Sequence, residues 1–295
     1  MTPAVLFYAC IHSPGADELI RKGELMRSIS VWFIFLFSVT VPSFADKAEK
    51  GFYLDQTVGA AVQPLGAQSV TKLYWRVPLY ETPGILWESA RVDVGLDNRL
   101  SPTYEAPFAY VAVSPIAFLD FRGRAGCMQF YRGLGYGFTS LSSYEAGFSD
   151  SDRKDIHKEN KGGTWLDGSA VLKLAYGHAA FMNTFTVNRV DFGRGYFYEP
   201  NQDVVMKRTG HSFNNECIAV WKGDGFAAGI DHYLVYVPGS EYRSDSLSLI
   251  GVWYTTLASG TELNAGAKAG VYLHNRYYRH EFTGTAWFGF TGRIR

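Results

Sequence analysis

From Leu263 onward, apolar or small residues stand at every second position: Leu263, Ala265, Ala267, Ala269, Val271 and Leu273. Between them lie Asn264, Gly266, Lys268, Gly270, Tyr272 and His274. After a polar tip at 275–280 the alternation resumes, with Phe282, Gly284, Ala286, Phe288, Phe290, Gly292 and Ile294 on one face. Thr283, Thr285, Trp287, Thr291 and Arg293 fall on the other. Side chains of a strand point to alternate faces, so the pattern predicts a two-faced hairpin. Each arm is much longer than the usual strand of about five or six residues. It matches the nine to eleven or so residues that a tilted strand needs to cross a bilayer.

The same period recurs upstream, broken by turn residues. A strand is predicted over 51–63, a turn over 64–69, and a return over 70–80. In that return Leu73, Trp75, Val77 and Leu79 oppose Lys72, Tyr74 and Arg76. After Thr82-Pro83-Gly84, a tight-turn signal, Ala90, Val92, Val94 and Leu96 oppose Arg91, Asp93 and Asp97. A polar stretch, 98–106, is read as a loop before a strand over 108–113. Pro115 cannot donate to a ladder and marks a strand end. Beyond it Leu119, Phe121, Ala125 and Cys127 oppose Asp120, Arg122 and Arg124. The largest polar insertion is 142–164. Further strands follow over 169–176, 179–192, 203–221, 226–237 and 246–257, with 193–202, rich in Tyr and Gly, read as a second long loop. The reading gives about twelve antiparallel strands, longer loops tending to follow odd strands and tighter turns even ones. An even count returns the C-terminus to the side of the N-terminus.

Composition narrows this picture. The 28 basic and 28 acidic residues cancel, so no net charge draws the chain to nucleic acid. With 21 Phe, 19 Tyr and 7 Trp the chain has too much aromatic surface for disorder. No stretch after the N-terminal region has the eighteen or so apolar residues of a transmembrane helix. Near the N-terminus, Arg27 precedes an apolar run over 31–41, and Ser43 and Ala45 stand where a signal peptidase reads. That arrangement predicts a cleaved secretory signal over 26–45 and a mature N-terminus near Asp46. Residues 1–25 fit neither signal nor domain and are read as an extension upstream of a true start at Met26. The alternative to a barrel over 46–295 is a secreted β-sandwich, which would have shorter strands.

The run Gly284-Thr285-Ala286-Trp287-Phe288-Gly289-Phe290, with the strand length and loop asymmetry before it, resembles the end of a bacterial outer-membrane β-barrel of the porin-like class. The chain runs on from there to Arg295. The resemblance covers 51–295 and implies an all-β, transmembrane, antiparallel up-and-down barrel in the bacterial outer membrane. It implies outer-membrane lipid, lipopolysaccharide and the barrel assembly machinery as partners. The 275–280 tip would then face outward and Arg295 the periplasm.

Few side chains stand where catalytic chemistry would need them. His211 and Ser212 are adjacent, so on a strand they face apart and cannot pair as nucleophile and base without a bulge. His178, His232, His274 and His280 lack second ligands at metal spacing. The glycines at 133, 135 and 137 are followed by no helix and are read as small residues in a strand, not a phosphate loop. Cys127 and Cys217 are read as small apolar residues facing lipid. No catalytic, cofactor or metal residue is assigned.

The polar faces carry more. Lys72, Arg76, Arg91, Asp93, Asp97, Asp120, Arg122, Arg124, Lys173, Glu216, Asp231, Lys268, Tyr272 and Arg293 all fall on the face opposite the apolar one. A charge facing lipid at mid-membrane costs about 2–4 kcal/mol, so these residues are expected to line the lumen. They would either line a narrow channel for small polar solutes or pair to close the barrel, leaving the loops at 142–164 and 193–202 to meet external partners. A lipid-modifying enzyme is the remaining alternative.

Overall fold

The computed structural model describes residues 48–62, 65–81, 84, 86–133, 136–147, 152, 156–240, 242–276 and 280–294. The signal segment and the extension before it lie outside the described residues, as does Arg295. Fourteen strands are present among them: β1 (Gly51–Val62), β2 (Gly66–Pro78), β3 (Arg91–Ser101), β4 (Tyr104–Ile116), β5 (Leu119–Phe130), β6 (Phe138–Leu141), β7 (Lys158–Glu159), β8 (Lys161–Tyr176), β9 (Ala179–Glu199), β10 (Val204–Gly223), β11 (Phe226–Val237), β12 (Tyr242–Thr256), β13 (Glu262–His274) and β14 (Phe282–Ile294).

All but β6 and β7 form a closed antiparallel ring of twelve strands, each paired with its neighbour in chain order. The seam is β1 against β14, running from Phe52 opposite Ile294 to Val62 opposite Gly284. Both described ends of the chain therefore lie at one rim, the terminal rim; the other is the distal rim. The ring leaves no free edge, which is how a β-structure satisfies its backbone without water.

Alternation sorts the side chains as a barrel requires. Exposed large apolar residues keep to one parity on every wall strand: Phe52 and Val58 on β1, Leu73 and Val77 on β2, Val94 and Leu96 on β3, Leu249 and Trp253 on β12, Val271 and Leu273 on β13, Phe282 and Phe288 on β14. The buried charged residues Asp93, Asp97, Arg124, Asp167 and Asp231 keep to the other. An apolar belt on the outside of a closed ring is the build of a barrel that crosses a bilayer. Cys127 and Cys217 are not joined in a disulfide and have outer-face parity, Cys127 exposed and Cys217 half-buried.

Sequence expectations are corrected at four places. The polar stretch 98–106 is no loop: β3 runs on to Ser101, two residues turn, and β4 starts at Tyr104. Asn98 and Arg99 are polar because they stand on strands near the rim, not because the chain leaves the sheet. The glycines at 133 and 137 are outside every strand, Gly133 in an isolated bridge with Tyr136 and the Gly137 carbonyl accepting from the Thr139 hydroxyl at 3.4 Å. Loop asymmetry is weaker than expected, since the β2–β3 connection at the terminal rim, 79–90, is longer than the β1–β2 and β3–β4 turns at the distal rim.

The largest correction concerns 193–202. β9 passes through most of it, pairing with β10 up to Glu199 opposite Val204. β8 stops pairing with β9 at Asp191, and β11 stops pairing with β10 at Phe213. The hairpin beyond these points has no neighbours in the wall. Its inner edge instead takes on β6, with Ser140 opposite Phe197, and β6 takes on β7.

Candidate functional site

The free part of the β9–β10 hairpin is a strap that folds into the mouth of the barrel. Where it leaves the wall, the register shifts between Lys207 and Thr209, and a bulge of this kind bends a ribbon. On the opposite strand Gly193 and Gly195 have φ of 90° and 107°, values open to glycine but strained for other residues. Asp191 holds this bend: one carboxylate oxygen accepts from the Gly193 amide at 2.9 Å and from the Thr209 hydroxyl at 2.8 Å.

Packing holds the strap inward. Phe192, Phe197, Val204 and Met206 enter an apolar cluster with Phe108, Met128, Phe130, Phe138 and Trp165, all at most 4% exposed. The Phe138 and Phe197 rings stack at 5.1 Å, and Phe192 meets Phe197 at 5.0 Å. The other face of the strap packs Tyr198 and Val205 on Leu141 and Tyr272. Each fully buried Phe contributes about 1.5–3 kcal/mol, so packing outweighs the polar contacts of the tip. Arg208 braces the edge, stacked 4.9 Å from the Phe138 ring and donating to Ser140 Oγ at 2.5 Å. In the loop outside, Tyr144 caps both clusters, and its burial raises its hydroxyl above the usual phenol range.

The tip crosses the lumen. Glu199, fully buried, shapes it: its carboxylate accepts from the Asn201 and Gln202 amides at 3.1 and 2.8 Å and from Asn201 Nδ2 at 2.7 Å. Asn201 Oδ1 then accepts from Gln68 Nε2 of β2 at 3.1 Å and from the Tyr104 hydroxyl of β4. On the other side the Tyr272 hydroxyl of β13 donates to Asp203 Oδ2 at 3.2 Å.

Beneath the strap the expected lumen residues meet in ion pairs. Arg76 grips Asp93 through two bonds of 2.8 and 2.9 Å, and Arg91 reaches the same carboxylate at 3.3 Å. Arg124 bridges Asp97 and Asp167 at 2.9 and 2.7 Å, all three nearly inaccessible. Lys268 bridges Asp231 at 2.6 Å and Glu216 at 3.3 Å. Lys72 pairs with Asp55 at 3.1 Å, and Lys173 pairs with Asp120. Arg293 stands apart at the terminal rim, on Glu49 at 2.8 Å. Arg122 is half-buried and has no ion-pair partner among the described residues. Asp55, Asp167, Arg99 and the whole strap join this set without having been singled out in the sequence. Arg99 was hidden by the loop assigned to 98–106.

The strap divides the space inside the wall. On the β1, β2, β13 and β14 side is a vestibule of about 1570 Å³, lined among others by Gln68, Val70, Asn201, Lys268 and Trp287. On the β3, β5, β8, β9 and β10 side is a chamber of about 220 Å³ walled by Arg99, Arg122, Arg124, Trp165, Asn188 and Asn214. Asn201, Gln202 and Tyr233 line both. The arrangement can hold water and small polar molecules beside fixed charges. His211 is exposed on the outer face and Ser212 buried on the inner one, so the two stand apart.

No protein-family model matches the sequence, and no curated protein does. Among solved structures the chain is similar to the β domain of the Bordetella autotransporter BrkA, at 12% identity and a TM-score of 0.42, over 83% of this chain and all of that one. It is similar to OmpT, an outer membrane protein of Vibrio cholerae, at 9% identity and 0.34, over 85% and 98%. It is also similar to OccK11 of Pseudomonas aeruginosa, at 8% identity and 0.24, over 86% and 98%. At these identities and scores nothing of those proteins' activities passes to this chain.

Proposed function

We propose that the protein is a narrow passive channel for small polar solutes in the bacterial outer membrane. The observation that carries this reading is the exposure of ion pairs inside a closed wall. Lys72 and Asp55 keep 26% and 25% of their side-chain surface, Lys268 and Glu216 26% and 31%, and Lys173 and Asp120 32% and 21%. Water reaches fixed charges on six wall strands, β1, β2, β5, β8, β10 and β13, as in a polar pore. Twelve strands lie between the eight that side chains fill and the sixteen of wide porins, so a narrow lumen fits. The apolar belt supplies the membrane surface. The terminal rim faces the periplasm, and the strap and the β5–β8 connection face outward.

The test is stepwise conductance from purified, folded protein in planar bilayers. Silence there would reject the channel. It would favour a closed barrel acting through its distal loops, a second reading that the strap across the mouth supports.

A further inference from the structure

The chamber beneath the strap has features that a water-filled passage does not need. Three buried donors point to no partner: Arg99 Nε, Trp165 Nε1 and Asn188 Nδ2. Trp165 and Asn188 are only 4% and 3% exposed. Two amide oxygens, of Gln202 and Asn214, are also unpartnered. Asn214 donates through Nδ2 to the Tyr233 hydroxyl at 3.0 Å. Half a turn about either amide presents its NH2 group to the chamber instead. A buried polar group left unmade costs about 1–3 kcal/mol, and several lining one small space call for a common partner.

The charges set that partner's sign. Arg124 is shared between Asp97 and Asp167. Arg99 and Arg122 line the chamber and have no ion-pair partner among the described residues, so two guanidinium groups face it without a carboxylate in contact. Glu199 lies nearby, but its carboxylate is turned into the strap's own turn, accepting from Asn201 and Gln202. Guanidinium groups favour planar or tetrahedral oxyanions because their forked donors match two oxygens at once. At about 220 Å³ the space is smaller than the 300 Å³ or so at which sites for drug-sized ligands begin.

We infer that the chamber is a binding site for a small oxyanion, a carboxylate or phosphate group, held by Arg99 and Arg122, with Trp165, Asn188 and Gln202 completing its shell. Gln202 comes from the strap, so the strap completes the site as well as dividing the lumen. The inference rests on the channel reading for the solute's route, not for its binding.

The experiment is calorimetric titration of the folded, detergent-solubilised protein with inorganic phosphate and separately with acetate. One or both bind, and Arg99→Gln with Arg122→Gln weakens binding about tenfold or more, as loss of charged hydrogen bonds requires. The double lysine variant recovers part of it. Should the glutamine variant misfold, phenylglyoxal modification of the wild-type protein decides, with phosphate protecting Arg99 and Arg122 by mass spectrometry. If neither anion binds, or the variant binds equally, or neither arginine is protected, the site is overturned even in a protein that conducts. Anion binding in a protein that conducts nothing would leave the site standing and remove the channel.

Discussion

Gln68 and Asn201 hydrogen-bond at 3.1 Å from opposite sides of the barrel. Gln68 lies on β2 and Asn201 on the turn between β9 and β10. Four wall strands separate them one way round the ring and five the other. The strap therefore spans the mouth as a bridge with both ends tied. Asn201→Ala removes this tie, the one to Tyr104 and the bond from its Nδ2 to Glu199. With each net hydrogen bond contributing about 1 kcal/mol, the freed tip should raise single-channel conductance or its open-state noise while the melting temperature falls by roughly ten degrees at most. Unchanged conductance traces would show that the tip does not limit passage.

Phe197→Ala acts on the packing instead. Phe197 is wholly buried between Phe138 and Phe192, and truncating such a residue costs about 3–5 kcal/mol. The wall does not depend on it, so the loss should appear as release of the strap. Limited proteolysis should cut within 192–207 in the variant and leave the parent protein intact. Equal resistance of the two would place the strap's stability elsewhere.

Arg124→Met should weaken the whole barrel. It leaves Asp97 and Asp167 buried without their shared cation, a loss of about 3–5 kcal/mol when one partner of a buried pair is removed. Urea unfolding in lipid vesicles measures it. A combined variant, with Asp97→Asn and Asp167→Asn added, should recover part of the loss.

Leu249→Arg tests the belt. Leu249 is 71% exposed and touches little, so on a water-soluble protein the change would fall within about 0.5 kcal/mol. Facing lipid it costs up to about 2–4 kcal/mol, depending on depth. A neutral result in bilayers would contradict the membrane-spanning reading. Cys127 gives the matching chemical test: a polar maleimide should leave it unlabelled in vesicles and label it after unfolding.

The wall was legible in the sequence because each of its strands serves two solvents, and two solvents impose period two. That period alone assigns Lys268 and Trp287, Asp93 and Arg124 to the polar face. The strap was not legible. Both of its faces are buried, so Tyr196, Phe197 and Tyr198 show no alternation of apolar and charged sides, and the Tyr and Gly content reads as loop. A usable signal was present in length: β9 has 21 residues and β10 has 20, more than a membrane crossing uses. The fold of that surplus back into the lumen depends on contacts with residues as distant as Gln68, which no local pattern records. Gln202 was missed for the same reason, whereas Arg99 was hidden by the loop assigned to 98–106.

The seam between β1 and β14 has a consequence in time. Phe52 and Ile294 are Cα partners, so the first wall strand finds its second neighbour only after all the other wall strands have been made. Until then β1 carries an unsatisfied edge, open to any other strand that reaches it. Contacts so distant in sequence make folding slow. Loss of β14 alone would leave eleven sound strands with two raw edges, and such a chain should aggregate rather than assemble.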